Sequence, residues 1–259
     1  MFKTDNYKNK TVVITGGTKG IGLGITKAYL SLSAKVIILA RNKPKKQIQV
    51  KGNKALFYQC NVRDNANVEE VINEIFKANK CIDVLINNAG GAPLISSLDA
   101  SMNFNNAIID LNLNSSFAVS YYVAKKMIKK LSGCVITNIS SVTATIPTPG
   151  SAAYGAAKGG LVNLTKTLAV EWAPRIRVNS IITGYIETEN SLVHYGSKKD
   201  MKAVAKTIPM KRMGTPEDIA NACLFLSSVN SSWITGTAIE VHGGGESPTY
   251  LNSAKPKKS

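Results

Sequence analysis

Apolar residues along this chain fall into short, nearly unbroken runs separated by longer stretches with helical spacing. The runs cover residues 11–16, 35–40, 55–60, 82–87, 133–139, 175–181 and 237–241. Rich in β-branched residues and apolar almost throughout, they suit strands buried on both faces, as in a parallel sheet. Between them lie helical patterns: one carried by Ile21, Ile25, Ala28, Tyr29 and Leu32, and others over 68–78, 102–131, 152–172 and 216–228. Strand and helix alternate from end to end, with no internal repeat and no Ser/Gly linker. This predicts one α/β domain over residues 1–259, a parallel sheet wound on both faces. Two stretches stand apart. About fourteen residues, many of them lysine and one of them Pro44, separate the second and third strands, so the helix expected there is short or missing. The segment 187–209 is rich in polar and small residues, and the tail from about 252 to 259 is polar and basic.

The first strand runs straight into Gly16-Gly17-Thr18-Lys19-Gly20-Ile21-Gly22 and then into a helix. Strand, glycine loop, helix is the context in which backbone turns tightly and meets a pyrophosphate at a helix N-terminus. Gly16, Thr18, Lys19, Gly20, Ile21 and Gly22 are therefore candidate cofactor contacts. Farther on, Tyr154 and Lys158 stand one helical turn apart on the same face. A free tyrosine is a poor acid-base group at neutral pH, and a nearby ammonium is expected to lower its pKa. Such a pair can pass a proton to or from an alcohol or carbonyl oxygen. Ser141, thirteen residues upstream, offers the hydroxyl that would complete the site. Taken alone, Tyr-x-x-x-Lys on a helix is more often a surface pair; the order of the other motifs reverses that reading.

Those motifs are Thr15-Gly16-x-x-x-Gly20-x-Gly22, Asn87-Asn88-Ala89-Gly90, Asn112, Ser141, Tyr154-x-x-x-Lys158, Arg177-Val178-Asn179, Arg212-x-Gly214-x-Pro216-Glu217-Asp218 and Gly243-Gly244-Gly245. In this order and spacing, over about residues 8 to 246, the chain resembles the short-chain dehydrogenase/reductase family, and within it the 3-oxoacyl-[acyl-carrier-protein] reductases. The resemblance implies a Rossmann fold with seven parallel strands in the order 3-2-1-4-5-6-7. It implies Tyr154 as acid-base residue, Ser141 as holder of the substrate oxygen, and Lys158 as a partner of both Tyr154 and the nicotinamide ribose. Asn112 resembles the helix asparagine that orders a water linking Lys158 to solvent, although a plain structural Asn is an alternative. Asn61, Val62, Asn88, Ala89, Gly90, Gly184, Ile186 and Thr188 are the further cofactor positions it implies, and 187–209 the lid over the substrate. Three departures stand out: Thr183 where Pro is usual, Asn61 where Asp is frequent, and His242 where Asp is common. The family commonly pairs through the two long helices, so a homotetramer or homodimer is expected.

Composition narrows the rest. Hydrophobic residues make up 44% of the chain, enough for a sizeable core, and no apolar run approaches the ~18 residues of a membrane span. The start carries no apolar signal region, so the chain is expected to be soluble and cytoplasmic. Cys60, Cys81, Cys134 and Cys223 are scattered and the two histidines, His194 and His242, are unpaired, so no metal site is expected. The net charge of +16 raises a nucleic-acid role, but the lysines are dispersed and no aromatics interleave with them. Lysines 125, 126, 129 and 130 read as a solvated helix face. Ala40 ends the second strand where an acidic residue would favour NAD, and Arg41 follows it. With Lys19 in the loop, the pattern favours NADP(H) over NAD(H), although Arg41-Asn42 can also be read as an exposed turn. In the lid, Leu192, Val193, Tyr195 and Met201 suit an apolar substrate and Lys198, Lys199 and Lys202 an acidic carrier. A 3-oxoacyl thioester is the leading substrate, a polycyclic hydroxy/keto compound the second. A dinucleotide-binding regulator on the same fold is the alternative of another class; such proteins usually lack the Tyr/Lys pair.

Overall fold

The computed structural model describes residues 7–129 and 133–246; the expected basic tail, and Lys130 and Leu131 at the end of the expected 102–131 helix, lie outside these. Nine strands are assigned within them: β1 (Thr11–Thr15), β2 (Lys35–Ala40), β3 (Gln49–Val50), β4 (Asn53–Lys54), β5 (Leu56–Gln59), β6 (Val84–Asn87), β7 (Cys134–Ser141), β8 (Ile176–Thr183) and β9 (Ala238–Val241). Seven form one parallel sheet in the order β5-β2-β1-β6-β7-β8-β9, the predicted 3-2-1-4-5-6-7 when the main strands alone are counted. The remaining two, β3 and β4, pair as an antiparallel hairpin in the short connection after β2, where a short or missing helix was expected. Pro44, and the turn at Lys51 and Gly52, two residues with positive φ, favour that hairpin over a helix.

The helices are α1 (Gly20–Ser31), α2 (Asn65–Asn79), α3 (Met102–Ile109), α4 (Ser115–Met127), α5 (Ala152–Trp172), α6 (Ser191–Tyr195), α7 (Lys198–Thr207) and α8 (Pro216–Ser227). Side chains alternate across the sheet. Val13, Ile37, Leu85, Ile136 and Val178 pack under α2, α4 and α5, while Val12, Ile14, Val36, Ile38, Val84, Ile86 and Ile181 pack under α1 and α8. The lid segment is more ordered than its composition suggested, since it folds α6 and α7 around Met201, Ile208 and Met213. Among the described residues no helix is long and apolar enough to cross a membrane.

Two boundaries bear on function. The expected continuous helix over 102–131 is broken by a π-turn, Asp110–Asn114, that joins α3 to α4. The expected strand over 133–139 runs two residues farther, so Ser141 is its last residue and sits at the carboxyl edge of the sheet. Thr183 ends β8 beside it, and its hydroxyl donates to the Ser140 carbonyl at 3.0 Å, a cross-strand bond that a proline there would lack.

Helices α1 and α8 interlock at Gly24, where a Cβ would fall 2.4 Å from Pro216 Cβ and 3.0 Å from its carbonyl carbon. Gly24→Ala should therefore destabilise the protein although alanine is the better helix former. Overpacking of ~1–3 kcal/mol predicts a fall in Tm of roughly 3–10 °C, read by thermal unfolding. An unchanged or higher Tm would contradict the close approach of the two helices.

Candidate active site

The carboxyl ends of β1 and β6 are tied together first. The Thr15 hydroxyl accepts from the Asn88 and Ala89 amides, both at 2.9 Å, and the Asn88 side chain donates back to the Thr15 and Gly16 carbonyls at 3.0 and 3.3 Å. Gly22 then closes against Gly16 so tightly that a Cβ would lie 2.3 Å from the Gly16 carbonyl oxygen. Above these strand ends lies a cleft of about 1190 Å³. Gly16, Thr18, Lys19, Gly20, Ile21, Gly22, Arg41, Asn61, Val62, Asn88, Ala89, Gly90, Tyr154, Lys158 and Thr188 all line it. Gly184 and Ile186 do not; Gly184 abuts His242, and Ile186 bridges to Gly214. Thr183, Asn190 and His194 line the cleft nearby instead. Length, glycine cradle and helix N-terminus fit an extended dinucleotide.

Tyr154 lies in the first turn of α5 and Lys158 one turn on, with the Lys158 ammonium 5.6 Å from the Tyr154 ring centre. Lys158 is buried, and its Nζ donates to the Ile139 carbonyl at 2.8 Å. Burial lowers its pKa from 10.5 to about 8. The expectation that Lys158 lowers the Tyr154 pKa is corrected here. Burial raises it, and a hydrogen bond with Ser141 pulls in the opposite direction. The reason is that the ammonium is turned to the β7 carbonyl, while the phenol sits in a desolvated pocket. Ser141 thus lies close enough to act on the Tyr154 phenol, and its Oγ accepts from the Thr143 amide at 3.3 Å.

Asn112 is fully buried in the π-turn. Its Oδ1 accepts from the Gly91 amide at 2.8 Å, and its Nδ2 donates to the Gly91 and Ile108 carbonyls at 3.0 and 2.9 Å. A Cβ on Gly90 would meet Asn112 Oδ1 at 2.6 Å and Lys158 Nζ at 3.2 Å, so Asn112 and Lys158 converge from either side of one residue. The sequence pointed to Asn112, but not to its bonding with Gly91.

A buried polar ladder supports the site, and sequence reasoning missed most of it. Asn87 donates to Ser120 and Asn138, Asn138 donates to Thr165 on α5, and Ser180 donates to the Asn138 carbonyl. The available signal was a polar residue inside an apolar strand, Asn138 between Thr137 and Ile139. His242 receives an account of its own. Its Nε2 pairs with Glu240 at 2.8 Å and its Nδ1 accepts from the Gly244 amide at 3.2 Å, which shapes the terminal glycine turn. The four cysteines are free thiols, three of them buried.

Comparison with known proteins gives a consistent picture. The family described as enoyl-(acyl carrier protein) reductase matches residues 16–246. The 3-oxoacyl-[acyl-carrier-protein] reductase of Chlamydia pneumoniae is 37% identical over 242 residues, covering 91% of this chain and 96% of the relative. Among solved structures, the ligand-free aldohexose dehydrogenase of Thermoplasma acidophilum superposes with a TM-score of 0.87 at 31% identity, covering 99% of both chains. A short chain dehydrogenase from Bacillus anthracis gives 0.83 at 34% identity, covering 94% of this chain and 99% of the other.

The buried ammonium has a pH signature. Between about 8 and 10.5 the unfolded chain keeps a proton on Lys158 that the folded chain has shed. The Lys158 contribution to stability therefore rises as pH is raised through that window. Urea unfolding at pH 7.5 and 9.5 should show wild type gaining on Lys158→Met as pH rises. A pH-independent difference between the two chains would place the ammonium in a solvated setting.

Proposed function

Since the chain belongs to the short-chain dehydrogenase/reductase family of oxidoreductases, we propose that it transfers hydride between NADP(H) and a carbonyl/secondary alcohol pair, acting as a reductase of 3-oxoacyl thioesters. The observation that carries the reading is that Tyr154 and Lys158 line a dinucleotide-sized cleft, with Ser141 beside Tyr154. When bound, the nicotinamide supplies or accepts the hydride. The chain's own groups do the rest. The glycine loop, Asn61, Val62, Asn88, Ala89, Gly90 and Thr188 would hold the dinucleotide, with Gly184 and Ile186 supporting that wall. Tyr154 donates its phenolic proton to the carbonyl oxygen. Its raised pKa keeps it in the donor form at neutral pH, which suits the reductive direction. Ser141 hydrogen-bonds the same oxygen and works against the burial of the phenol, while the Lys158 ammonium, fixed by the Ile139 carbonyl, would hold the nicotinamide ribose. Asn112 is a positioning residue that fixes the backbone at Gly91, next to the cleft wall.

Preference for NADP(H) is supported by charge. Lys19, Lys27, Arg41, Lys43, Lys45, Lys46 and Arg63 line the cleft together with Lys158; among the described residues no Asp or Glu lines it, and the Glu189 carboxylate reaches the Gly20 amide at its edge. Ala40 at the end of β2 offers no carboxylate for a ribose 2′-hydroxyl, and Arg41 offers a guanidinium to a 2′-phosphate.

The substrate assignment draws on the named reductase relative and on the lid. Leu192 and Val193 are exposed on α6, while Lys198, Lys199 and Lys202 are exposed on α7. An acyl chain suits the former and an acidic carrier or CoA phosphate the latter. Assembly as a homotetramer or homodimer is supported by exposed Phe117 and Tyr121, one turn apart on α4, and by exposed Val170 on α5. A cytoplasmic location accords with this activity.

NADPH oxidation with acetoacetyl-CoA and a longer 3-oxoacyl thioester tests the reading, and Tyr154→Phe should lower kcat by ~10²-fold or more with little change in NADPH binding. Turnover of sugars or polyols alone would remove the substrate assignment, and a variant as fast as wild type would remove the mechanism. Arg41→Asp should shift the ratio of kcat/KM for NADPH over NADH towards NADH by ~10-fold or more. A wild type that already prefers NADH would refute the cofactor assignment.

A further inference from the structure

The Gly20 amide opens α1 at the point where the helix after a glycine loop presents its positive end to a diphosphate. This helix has no cap of its own. Lys19 at the N-cap makes no side-chain hydrogen bond, and the first turn holds no acidic residue. The amide is nevertheless occupied. Both carboxylate oxygens of Glu189 accept from it, at 2.9 and 3.2 Å, across 169 residues of sequence. Glu189 lies at the entrance to the segment 187–209. Its neighbour Thr188 is also drawn in, since a Cβ on Gly20 would meet Thr188 Cγ2 at 3.3 Å. In a cleft lined by cations, the group seated on the helix end is thus a carboxylate from the segment that covers the site.

We propose that Glu189 is a built-in competitor of the cofactor. In the cofactor-free protein its carboxylate takes the diphosphate's seat on Gly20 and latches the segment 187–209 to the glycine loop. Cofactor binding expels the carboxylate and undoes this tie between the segment and the glycine loop, so the cofactor enters against the latch and the cover rearranges only after it is seated. The inference rests on the reading of the cleft as a dinucleotide site. Glu189 is exposed, so the latch is weak by design of its setting: strong enough to bias the segment, and readily displaced by a ligand that brings two phosphates.

The test is NADPH affinity, measured by fluorescence titration without substrate, for wild type, Glu189→Ala, Glu189→Gln and Glu187→Ala. Glu187→Ala removes the same charge two residues away, from a residue whose amide bonds to the Gly214 carbonyl, and leaves the seat occupied. Glu189→Ala should bind NADPH about twofold to tenfold more tightly, Glu189→Gln should fall between it and wild type, and Glu187→Ala should match wild type. Hydrogen exchange of 187–209 in the cofactor-free protein should be faster in Glu189→Ala than in wild type. Equal or weaker NADPH binding by Glu189→Ala, with wild type binding well, overturns the latch and leaves the cofactor reading standing. The same tightening in Glu187→Ala overturns it in favour of general charge repulsion. Failure of every chain to bind NADPH or NADH overturns the cofactor reading and the latch together.

Discussion

Everything in the site hangs on keeping the ends of β1 and β6 level, and a single hydroxyl does much of this. Thr15 takes two consecutive backbone amides from the turn after β6, and Asn88 returns two bonds to the backbone after β1. Buried backbone groups at strand ends have lost their ladder partners and are costly to leave unmade. Here the two strand ends satisfy each other. The glycine loop and the wall carrying Ala89 and Gly90 are thereby fixed in relation to one another before any ligand arrives, which is the preorganisation a binding cleft requires.

The same logic runs deeper on the other side of the cleft. A lysine buried in the core is unfavourable unless its donors are used, and Lys158 spends one on the Ile139 carbonyl. Asn112 spends both ends of its amide on Gly91 and Ile108, and Asn87, Asn138 and Thr165 form a chain under the floor. Such networks are expensive when half-made and rigid when complete. Their value here is aim: α5 carries Tyr154 and Lys158, and Thr165 and Lys158 itself tie that helix to β7, whose last residue is Ser141. The three groups proposed to react are held by one helix–strand pair.

Much of this was legible in the amino-acid sequence. The strand runs were apolar and β-branched, the loop glycines were spaced for close backbone approach, and Tyr154, Lys158 and Ser141 were identified from residue type and order. Less legible were features that depend on partners distant in sequence. Whether Lys158 faces Tyr154 or a carbonyl depends on the depth of β7, and the direction of the Tyr154 shift followed from burial rather than from the nearby charge. The hairpin β3–β4 has four paired residues, too few for periodicity to register. Gly184 and Ile186 were placed by the position of neighbouring residues in a motif, and their side of the chain turns towards His242 and Gly214. Glu189 gave no signal at all, because a glutamate in a polar loop looks like any other until the loop is folded back.

The π-turn at Asp110–Asn114 sets a limit on length. It carries more residues than a regular helical turn would use, and Asn112 fills the widened backbone. Helix α3 before it packs against α5, and α4 after it packs against α2 and β6. Each residue of a regular helix advances the face by about 100°. A deletion of one residue between Ile108 and Ser115 would remove the residue that the π-turn absorbs and leave a regular coil with both faces in phase, at the loss of the wide turn that holds Asn112 against Gly91. One residue lost from the lysine-rich connection between Arg41 and Gln47 would shorten a surface strap and leave the sheet in register. Two deletions of equal size would thus have very unequal consequences: one takes a buried amide away from the cleft wall, the other changes only how far a loop reaches.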